Sequence, residues 1–435
     1  MKTVKFGGSS VAGAEQFKKV KAIVESDPER RIVIVSAAGK RNGGDHKITD
    51  LLYLCHAHLT YGVSCDDILA EIKARFAGIR DELGLDYDVE SDFDAFSKRL
   101  SKSTNVDELV SRGEYFTSRL MAEYLGFRFV DAADCMLFGA DGQLDREKTF
   151  SAIAKAYEEY GKILIPGFYG SLPNGKIKVM SRGGSDITGA IAAAAAGAEI
   201  YENWTDVSGI LMADPKIVNN PRAISAITYA ELRELAYMGA SVLHEESVMP
   251  VKEAGIKLNI RNTNRPDDPG TMIVEGVESE ASERPITGMS GKKDFKIITI
   301  LKREMNTSQC LGQALEVLDR YHVNPDQITL GLDSFALICS SKSIEDSYFD
   351  ILSDIRRQCH PDDVLVEENI ALVAAVGRKM SSKPGTSGML FKALGDKGIN
   401  IRTIVQGADE ISIIVGVENE HFEEAIRVLY EGFAG

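Results

Sequence analysis

Roughly the first 275 residues alternate short runs of β-branched residues with longer stretches of amphipathic, helix-forming sequence. Residues 31–36 (Arg-Ile-Val-Ile-Val-Ser) and 162–167 (Lys-Ile-Leu-Ile-Pro-Gly) have the length and composition of buried strands. This alternation predicts an α/β fold in which an open, mainly parallel sheet lies between helices. Small residues follow several of these runs, so we expect a ligand site along the carboxyl edge of the sheet.

Residues 63–125 interrupt this alternation. Charged amphipathic segments at 66–83 and 105–125 predict helices with few strands near them, and we interpret 63–125 as a helical insertion over the sheet edge. The most apolar run, 187–200, is rich in alanine but includes Thr188 and Glu199. It therefore predicts a buried helix.

The composition changes at 262–285, where Asn, Asp, Pro, Glu and Ser are typical of polar connections. We place a domain boundary near residue 280, which gives a first domain at 1–280. Beyond it a strand–helix–strand–helix pattern occurs twice, first at 296–301, 309–321, 334–339 and 343–356, and then at 370–376, 386–397, 410–417 and 420–431. This internal repeat predicts two small α+β modules, at 281–360 and 361–435.

Charge and hydropathy exclude several classes of function. A chain of 435 residues is long enough for two or three domains, and its formal net charge of -15 argues against binding to nucleic acid or to anionic lipid. No stretch reaches the roughly 18 uninterrupted apolar residues of a membrane span, and no apolar signal core opens the chain. We therefore expect a cytoplasmic protein with no membrane partner.

The cysteines give no sign of disulfides or of a metal centre. The six are widely spaced without a Cys-x-x-Cys pair, so we interpret them as free thiols. Cys55, His56 and His58 resemble a metal-binding group in composition. However, the two histidines do not share a face of the predicted helix, which favours solvent-facing side chains.

Two glycine pairs carry the strongest chemical signal. Residues 4–10 read Val-Lys-Phe-Gly-Gly-Ser-Ser, and residues 181–186 read Ser-Arg-Gly-Gly-Ser-Asp. A Gly-Gly turn between a strand and a helix lets backbone N–H groups approach an anion, so two such turns predict a phosphate clamp. Lys5 supplies a point charge and Arg182 a fork for a carboxylate or phosphate. Asp186 is either a helix cap, a partner that holds Lys5, or a ligand of magnesium-bound water.

Two further segments combine polar groups in ways that suit a ligand. Residues 204–216 follow a strand and place hydroxyl, carboxylate, glycine and cation in one loop, which suits a nucleotide base and ribose but also an ordinary turn. In residues 111–114 (Ser-Arg-Gly-Glu), Gly113 stands in a predicted helix, where glycine costs about 1 kcal/mol relative to alanine. We therefore expect a close approach of ligand or backbone at Gly113.

Together these segments resemble the aspartate kinases of the amino acid kinase superfamily, almost from end to end. The matching motifs are Lys5-Phe6-Gly7-Gly8-Ser9-Ser10, Val35-Ser36-Ala37, Lys47-Ile48-Thr49-Asp50, Arg112-Gly113-Glu114, Arg182-Gly183-Gly184-Ser185-Asp186 and Thr205-Asp206-Val207-x-Gly209-Ile210. The C-terminal repeat is similar to paired ferredoxin-like ACT modules, with Gln406-Gly407-Ala408-Asp409-Glu410 near a family motif. No homoserine dehydrogenase region follows, so the resemblance is to the monofunctional enzymes.

The resemblance implies an amino acid kinase fold, and phosphoryl transfer from ATP to L-aspartate with Mg²⁺ carried on the nucleotide rather than by protein side chains. An ionised carboxylate can attack without a general base, and no histidine stands in the motifs. The implied catalytic residues are Lys5 and Asp186. The implied ATP-binding residues are Lys5, Gly7, Gly8, Ser9, Gly183, Gly184, Thr205, Asp206, Leu211 and Lys216. The implied aspartate-binding residues are Ser36, Thr49, Glu114, Arg182 and Ser185.

Three departures from the family pattern affect the nucleotide side. Leu211 stands where relatives often have an aromatic residue, Lys216 stands where Arg is common, and Ser241 stands where many have a lysine. The first replacement removes an aromatic ring that could stack on the base, the second removes the planar guanidinium group, and the third removes a cation. We therefore expect weaker ATP binding than in relatives.

The tail resembles a regulatory region. The resemblance implies feedback by lysine, threonine or both, at a site that includes Met305, Ser308, Asp326 and Gly331, although Gly331 replaces a serine of some relatives. In such paired modules one can be inserted in the other, so the β-like run 286–290 is expected to complete the last module. ACT modules leave sheet edges that pair across subunits, which implies a homodimer or a dimer of dimers.

Two alternatives remain at this point. One is a sister kinase that acts on glutamate, N-acetylglutamate or carbamate, and the Arg-Gly-Glu helix and paired tail argue against it. The other is a nucleotide-binding sensor without catalysis, against which Lys5 and Asp186 argue.

Overall fold

The computed structural model describes residues 1–180, 183–240, 243, 245–276, 284–303 and 307–434. Grouping by contacts gives two compact units. The first contains Met1–Ile210, Ala223–Tyr229 and Val242–Ala281, and the second contains Leu211–Arg222, Ala230–Ser241 and Ser282–Gly435.

The elements of the first unit follow one another in α/β order. They are β1 Lys2–Phe6, α1 Ala14–Glu25, β2 Arg30–Val35, α2 Ile48–Tyr61, α3 Asp66–Leu83, α4 Val89–Ser97, α5 Val106–Val110, α6 Arg112–Leu125, β3 Arg128–Phe129, α7 Ala132–Cys135, α8 Arg146–Tyr160, β4 Ile163–Pro166, β5 Tyr169–Ser171, β6 Ile177–Val179, α9 Gly184–Ala195, β7 Ile200–Thr205, β8 Ala226–Thr228, α10 Tyr229–Tyr237 (which continues into the second unit), α11 Glu245–Glu253, β9 Lys257–Asn262 and β10 Thr271–Val274.

The main sheet has eight strands in the order β3-β4-β2-β1-β7-β9-β10-β8. All neighbouring pairs are parallel except β9 and β10, which confirms the predicted α/β class. The central strands β1, β2, β4 and β7 are almost wholly buried because helices cover both faces. Their carboxyl ends therefore meet at one edge, where the sequence predicted the ligand site.

Helices α2 to α6 occupy 48–125 and share the hydrophobic core of the sheet. Their phenylalanines form a buried cluster, in which the rings of Phe93 and Phe116 lie 5.2 Å apart and those of Phe76 and Phe116 lie 5.5 Å apart. The single helix predicted at 105–125 is wrong, because α5 ends before Ser111 and α6 begins after it. The Ser111 hydroxyl donates to the carbonyl of Glu108 at this junction.

The second unit contains a six-stranded antiparallel sheet in the order β12-β13-β11-β14-β16-β15. Its elements are β11 Gly288–Leu301, α12 Thr307–Arg320, β12 Gln327–Leu330, β13 Ser334–Ser340, α13 Ser341–Ile344, α14 Tyr348–Cys359, β14 Asp363–Val376, α15 Thr386–Asp396, β15 Thr403–Gln406, β16 Ser412–Glu418 and α16 Phe422–Ala434. Strands β11 and β14 have 14 residues each and pair with one another along both halves.

Two hydrophobic clusters divide this sheet into halves. One cluster joins the second half of β11 to α12 and α14, and the other joins the second half of β14 to α15 and α16. Residues 288–292 pair with 372–376, so the start of β11 belongs to the half that contains the end of the chain. The first half has the order βαββαβ along the chain. The second half contains the end of β14, α15, β15, β16 and α16 together with the start of β11, in agreement with the predicted α+β class.

Candidate functional site

A cavity of about 680 Å³ opens at the carboxyl edge of the main sheet. Its lining includes the predicted site residues Lys5, Gly7, Gly8, Ser9, Ser36, Thr49, Glu114, Gly183, Gly184, Ser185, Asp186, Thr205 and Asp206. These residues come from six separate stretches of the chain, and the parallel strands bring them together because they end at the same edge. The sequence motifs are thus parts of one site.

The first glycine pair packs against a second loop. The N–H of Gly39 donates to the carbonyl of Gly8 at 2.8 Å, and a Cβ on Gly39 would lie 2.6 Å from that same oxygen. A Cβ on Gly8 would lie 2.9 Å from the carbonyl oxygen of Ala37. Only glycine allows the two backbones to approach so closely, and this exposes the backbone of both loops to the cavity.

The second glycine pair begins helix α9. Gly183 has a left-handed backbone with φ 79° at the N-cap, and a Cβ on Gly184 would lie 2.7 Å from the ring of Phe168. The amino end of α9, a helix of 12 residues, therefore faces the cavity with its positive dipole end. Such an end favours a negatively charged ligand.

Lys5 and Asp186 form the central ion pair of the site. Lys5 Nζ lies 2.5 Å from Asp186 Oδ1, and both side chains are largely shielded from solvent. Asn203 completes the group, because its Nδ2 donates to Asp186 Oδ1 at 2.9 Å while its Oδ1 accepts from Lys5 Nζ at 3.5 Å. Of the three roles that the sequence left open for Asp186, the structure therefore contains the contact that holds Lys5.

Glu114 places a buried carboxyl in the cavity wall. The residue is 4% exposed, and its Oε2 has no hydrogen-bond partner among the described residues. Burial raises the pKa of this carboxyl to about 8, against smaller opposing effects from backbone N–H donors and from Arg112. An unpartnered carboxyl oxygen that lines a cavity is suited to a cationic ligand group.

Gly113 is explained by packing of the chain on itself. A Cβ at this position would lie 2.8 Å from the Cβ of Ala37 and 3.3 Å from Ile48. The glycine therefore lets α6 lie close to the loop after β2, which brings Glu114 beside that loop. The expected close approach is present, and it involves side chains rather than ligand or backbone.

The loop after β7 supplies Thr205 and Asp206. The Thr205 hydroxyl donates to the Asp206 carboxylate at 3.2 Å, and Asp206 is exposed at the cavity. Leu211 and Lys216 belong to the second compact unit. Arg182, Ser241 and Met305 lie outside the described residues.

The remaining predicted effector residues lie in the second unit. Asp326 precedes β12 and accepts a hydrogen bond from the N–H of Ser340 at 2.9 Å, and Gly331 donates to the carbonyl of Ser334 in the turn between β12 and β13. Ser308 lies in the first turn of α12. A cavity of about 570 Å³ in this unit has a different described lining, which includes Asn369, Arg402 and Glu418.

Among the described residues, three side chains with potential metal-ligating atoms close to one another are Glu418, Glu420 and His421, in the second unit. No helix of the described chain is both long and apolar enough to cross a bilayer.

Sequence reasoning missed several residues of the site. Asn203 interrupts a buried strand with a polar side chain, a signal that could have identified it. Lys40 and Lys47 also line the cavity; Lys47 opens one of the matching motifs, but neither lysine was predicted to have a role. Phe168 also lines it, with a left-handed φ of 79° that only the folded backbone reveals.

Comparison with known proteins gives consistent matches. Residues 2–262 match the model of the amino acid kinase family, and residues 373–433 match an ACT domain. Aspartokinase 3 of Bacillus subtilis is 34% identical over 449 residues, which cover 100% of this chain and 98% of that protein. Lysine-sensitive aspartokinase 3 of Escherichia coli is 28% identical over 98% of this chain and 97% of its own length.

Solved structures agree with these matches. The crystal structure of Clostridium acetobutylicum aspartate kinase, described as an allosteric enzyme, has a TM-score of 0.94 and 44% identity over 100% of both chains. E. coli aspartokinase III in complex with aspartate and ADP has a TM-score of 0.76 and 26% identity, also over 100% of both chains. The same enzyme in complex with lysine and aspartate has a TM-score of 0.75 and 27% identity over the same coverage.

Proposed function

The chain belongs to the aspartate kinases of the amino acid kinase family, and from this premise we propose how its residues phosphorylate L-aspartate. A side-chain carboxylate oxygen of aspartate attacks the γ-phosphorus of ATP, and the bond from that phosphorus to the bridging oxygen of ADP breaks. The products are 4-phospho-L-aspartate and ADP. The observation that carries this assignment is the Lys5–Asp186 ion pair, which lies in one cavity with two glycine turns and Glu114.

Charge neutralisation is the main catalytic task in this reaction. The attacking carboxylate is already ionised at neutral pH, so no general base is required. We assign Lys5 to the transferred phosphoryl group, with backbone donors from Gly7, Gly8, Gly183 and Gly184 around its oxygens. Asp186 holds Lys5 in position. Because Lys5 is already oriented by its partner, little reorganisation is needed when the charge moves.

We assign the polar groups of the opposite wall to the aspartate substrate. Glu114 binds the α-ammonium group, which gives its unpartnered Oε2 a donor. Arg182 binds the α-carboxylate through two parallel hydrogen bonds from its guanidinium group. Three hydroxyl groups complete the aspartate site as hydrogen-bond partners, those of Ser36, Thr49 and Ser185.

Thr205 and Asp206 are assigned to the nucleotide, together with Ser9, Leu211 and Lys216. Bound to the ATP phosphates, magnesium would offset part of their negative charge. Asp186 Oδ1 already accepts from Lys5 and Asn203, so the magnesium ion would be held by phosphate and water oxygens rather than by this carboxylate oxygen. The replacements at Leu211, Lys216 and Ser241 predict weaker ATP binding than in relatives.

We further propose domain limits of 1–280, 281–360 and 361–435, with 63–125 as an insertion and 286–290 as part of the last module.

The two terminal modules bind lysine, threonine or both, near Met305, Ser308, Asp326 and Gly331, and this binding lowers activity. The protein works as a homodimer or a dimer of dimers. It works in the cytoplasm, where its six cysteines, all free in the structure, remain reduced.

The test is ADP release from Mg-ATP that depends on L-aspartate, with hydroxylamine present to trap an acyl phosphate. We expect aspartyl hydroxamate in step with ADP, and less of both when lysine plus threonine is added. Hydroxamate with glutamate instead of aspartate would identify a sister kinase. Nucleotide binding by folded protein without turnover would identify a sensor. Unchanged turnover with lysine and threonine would contradict the regulatory part alone.

A further inference from the structure

Arg75 of helix α3 is a buried arginine that holds together a loop of the active cavity. Its side chain is 6% exposed, and it is not itself a cavity residue. The guanidinium donates to the carbonyl of His46 at 2.7 Å, to that of Ala12 at 3.3 Å and to that of Gly39. It also lies 3.3 Å from a carboxylate oxygen of Asp45. One side chain thus fixes three backbone positions.

A second arginine closes the same loop. The Asp45 carboxylate accepts from the backbone N–H of Arg41 at 2.8 Å and from its guanidinium at 2.9 and 3.0 Å. Arg41 and Arg75 hold the pKa of the Asp45 carboxyl well below its usual range. We call residues 39–47 the phosphate-side loop. Arg75 joins the two ends of this loop through the carbonyls of Gly39 and His46, and the buried Asp45 carboxylate lies between the two guanidinium groups.

The phosphate-side loop presents two lysines to the cavity. Lys40 and Lys47 both line it and are exposed, and neither forms an ion pair among the described residues. The third described lysine of the cavity wall, Lys5, is already paired with Asp186. A magnesium nucleotide and an aspartate both bring net negative charge, and among the described lysines of the cavity wall Lys40 and Lys47 are the two without an ion-pair partner that could balance it.

We propose that Arg75 is a positioning residue for the binding of nucleotide phosphates. It holds the phosphate-side loop in the conformation in which Lys40 and Lys47 bind the phosphates. This inference rests on the proposed function. The loop contains Gly43 and Gly44, both exposed, and its lysine side chains have high conformational entropy. Without the hydrogen bonds from Arg75, the loop would become ordered only when the nucleotide binds, and this ordering would reduce the binding free energy.

The role requires arginine rather than any cation. A guanidinium has donors in a planar fork and reaches several carbonyls at once, whereas an ammonium is a compact point charge. Arg75→Lys therefore keeps the charge beside Asp45 but leaves carbonyls of the loop without a buried donor. The matched control is Arg30→Lys. Arg30 is 5% exposed and pairs with Glu202 at 2.8 Å at the amino end of β2, away from the cavity edge.

The experiment measures kcat, the KM values for Mg-ATP and aspartate, and the affinity for Mg-ADP by calorimetry. We expect Arg75→Lys to raise the Mg-ATP KM and the Mg-ADP Kd by about tenfold, with the aspartate KM changed less than about twofold. The double variant Lys40→Ala/Lys47→Ala should also raise the Mg-ATP KM and the Mg-ADP Kd. Arg30→Lys lowers Tm but leaves the nucleotide values as in wild type.

A double-mutant cycle separates positioning from general destabilisation. If Arg75 acts through the lysines, their removal costs less in the Arg75→Lys background than in wild type. Additive effects, or wild-type Mg-ADP affinity in folded Arg75→Lys, would overturn the proposal. If Arg75→Lys does not fold, Asp45→Asn replaces it in the same cycle. Wild-type protein that binds Mg-ADP but forms no hydroxamate would defeat the proposed function, while the binding data would still decide this inference.

Discussion

Lys5 Nζ and Asp186 Oδ1 lie 2.5 Å apart, although 180 residues separate them in the chain. Lys5 is near the end of β1 and Asp186 is in the first turn of α9, so the pair joins the two glycine turns of the cavity. Because Asn203 hydrogen bonds to the same carboxylate oxygen, the ion pair is fixed from a third element. The cation of the site is thus in place before substrate arrives.

Lys5→Ala is expected to lower kcat by about 10²- to 10³-fold, because in our proposal Lys5 is the cation that neutralises the transferred phosphoryl group. The measurement is steady-state hydroxamate formation at saturating Mg-ATP and aspartate. Lys2→Ala is the matched control. Lys2 lies on the same strand and pairs with Asp27 at 2.7 Å, but at the opposite end. Retention of kcat in folded Lys5→Ala would refute the catalytic assignment.

Gly113→Ala is expected to destabilise the fold despite the better helix propensity of alanine. The new Cβ would lie 2.8 Å from the Cβ of Ala37, and overpacking of this kind costs about 1–3 kcal/mol, more than the roughly 1 kcal/mol gained in a helix. Glu114 would also shift, so we expect a raised KM for aspartate. Thermal unfolding and steady-state kinetics measure the two effects.

Gly78→Ala in α3 is the control for Gly113→Ala. A Cβ on Gly78 would meet nothing within 4 Å, so only helix propensity changes and stability should rise by about 0.5–1 kcal/mol. If both substitutions stabilised the protein equally, packing against Ala37 would not explain Gly113.

Local pattern predicted much of this architecture but not its long strands. Residues 31–36 and 162–167 are recognisable because they are short, apolar and bounded by small residues. Strand β11 is different, since its polar stretch includes Asp294 with a left-handed φ of 69° and the pairing with β14 shifts register there. A bulge changes which side chains face the core, so the alternating pattern breaks in the middle of a continuous strand.

The site shows the same division between local and tertiary information. Lys5, Glu114 and Asp186 could be selected from sequence because their motifs combine charge with glycine. The packing of Arg75 on the loop at 39–47 could not, because it depends on how α3 folds back on residues as far as 36 positions away. Nor could the burial that changes the pKa of Glu114 be read from a motif.

Leu211→Tyr tests the predicted weakness of ATP binding. An aromatic side chain at this position would restore stacking on the nucleotide, worth about 0.5–1.5 kcal/mol, so the KM for Mg-ATP should fall by about two- to tenfold. Leu211→Met is the control, since it keeps an apolar chain without a ring. Equal KM values for the two variants would mean that residue 211 does not contact the base.

Glu114 makes a signed prediction about pH. Its pKa of about 8 exceeds the ordinary value of 4.5, so between these values the folded protein holds a proton that the unfolded chain has released. Stability contributed by this group is therefore lost as pH rises through that range. Glu114→Gln removes the ionisable group, so its Tm should exceed that of wild type by a margin that grows from pH 5 to pH 8.5.

The same pKa governs affinity for aspartate. In our proposal the α-ammonium group of the substrate pairs with ionised Glu114, so below about pH 8 binding must release a proton. The KM for aspartate should then rise by up to about tenfold for each unit by which the pH falls. Glu114→Gln should have a high KM for aspartate that does not change with pH in this range. Asp50→Asn, in the first turn of α2 and exposed, is the control that should keep the wild-type pH dependence. If the wild-type KM for aspartate did not change from pH 6.5 to 8.5, Glu114 would not be the residue that binds the ammonium group, because Glu114 is the one ionisable contact assigned to that group.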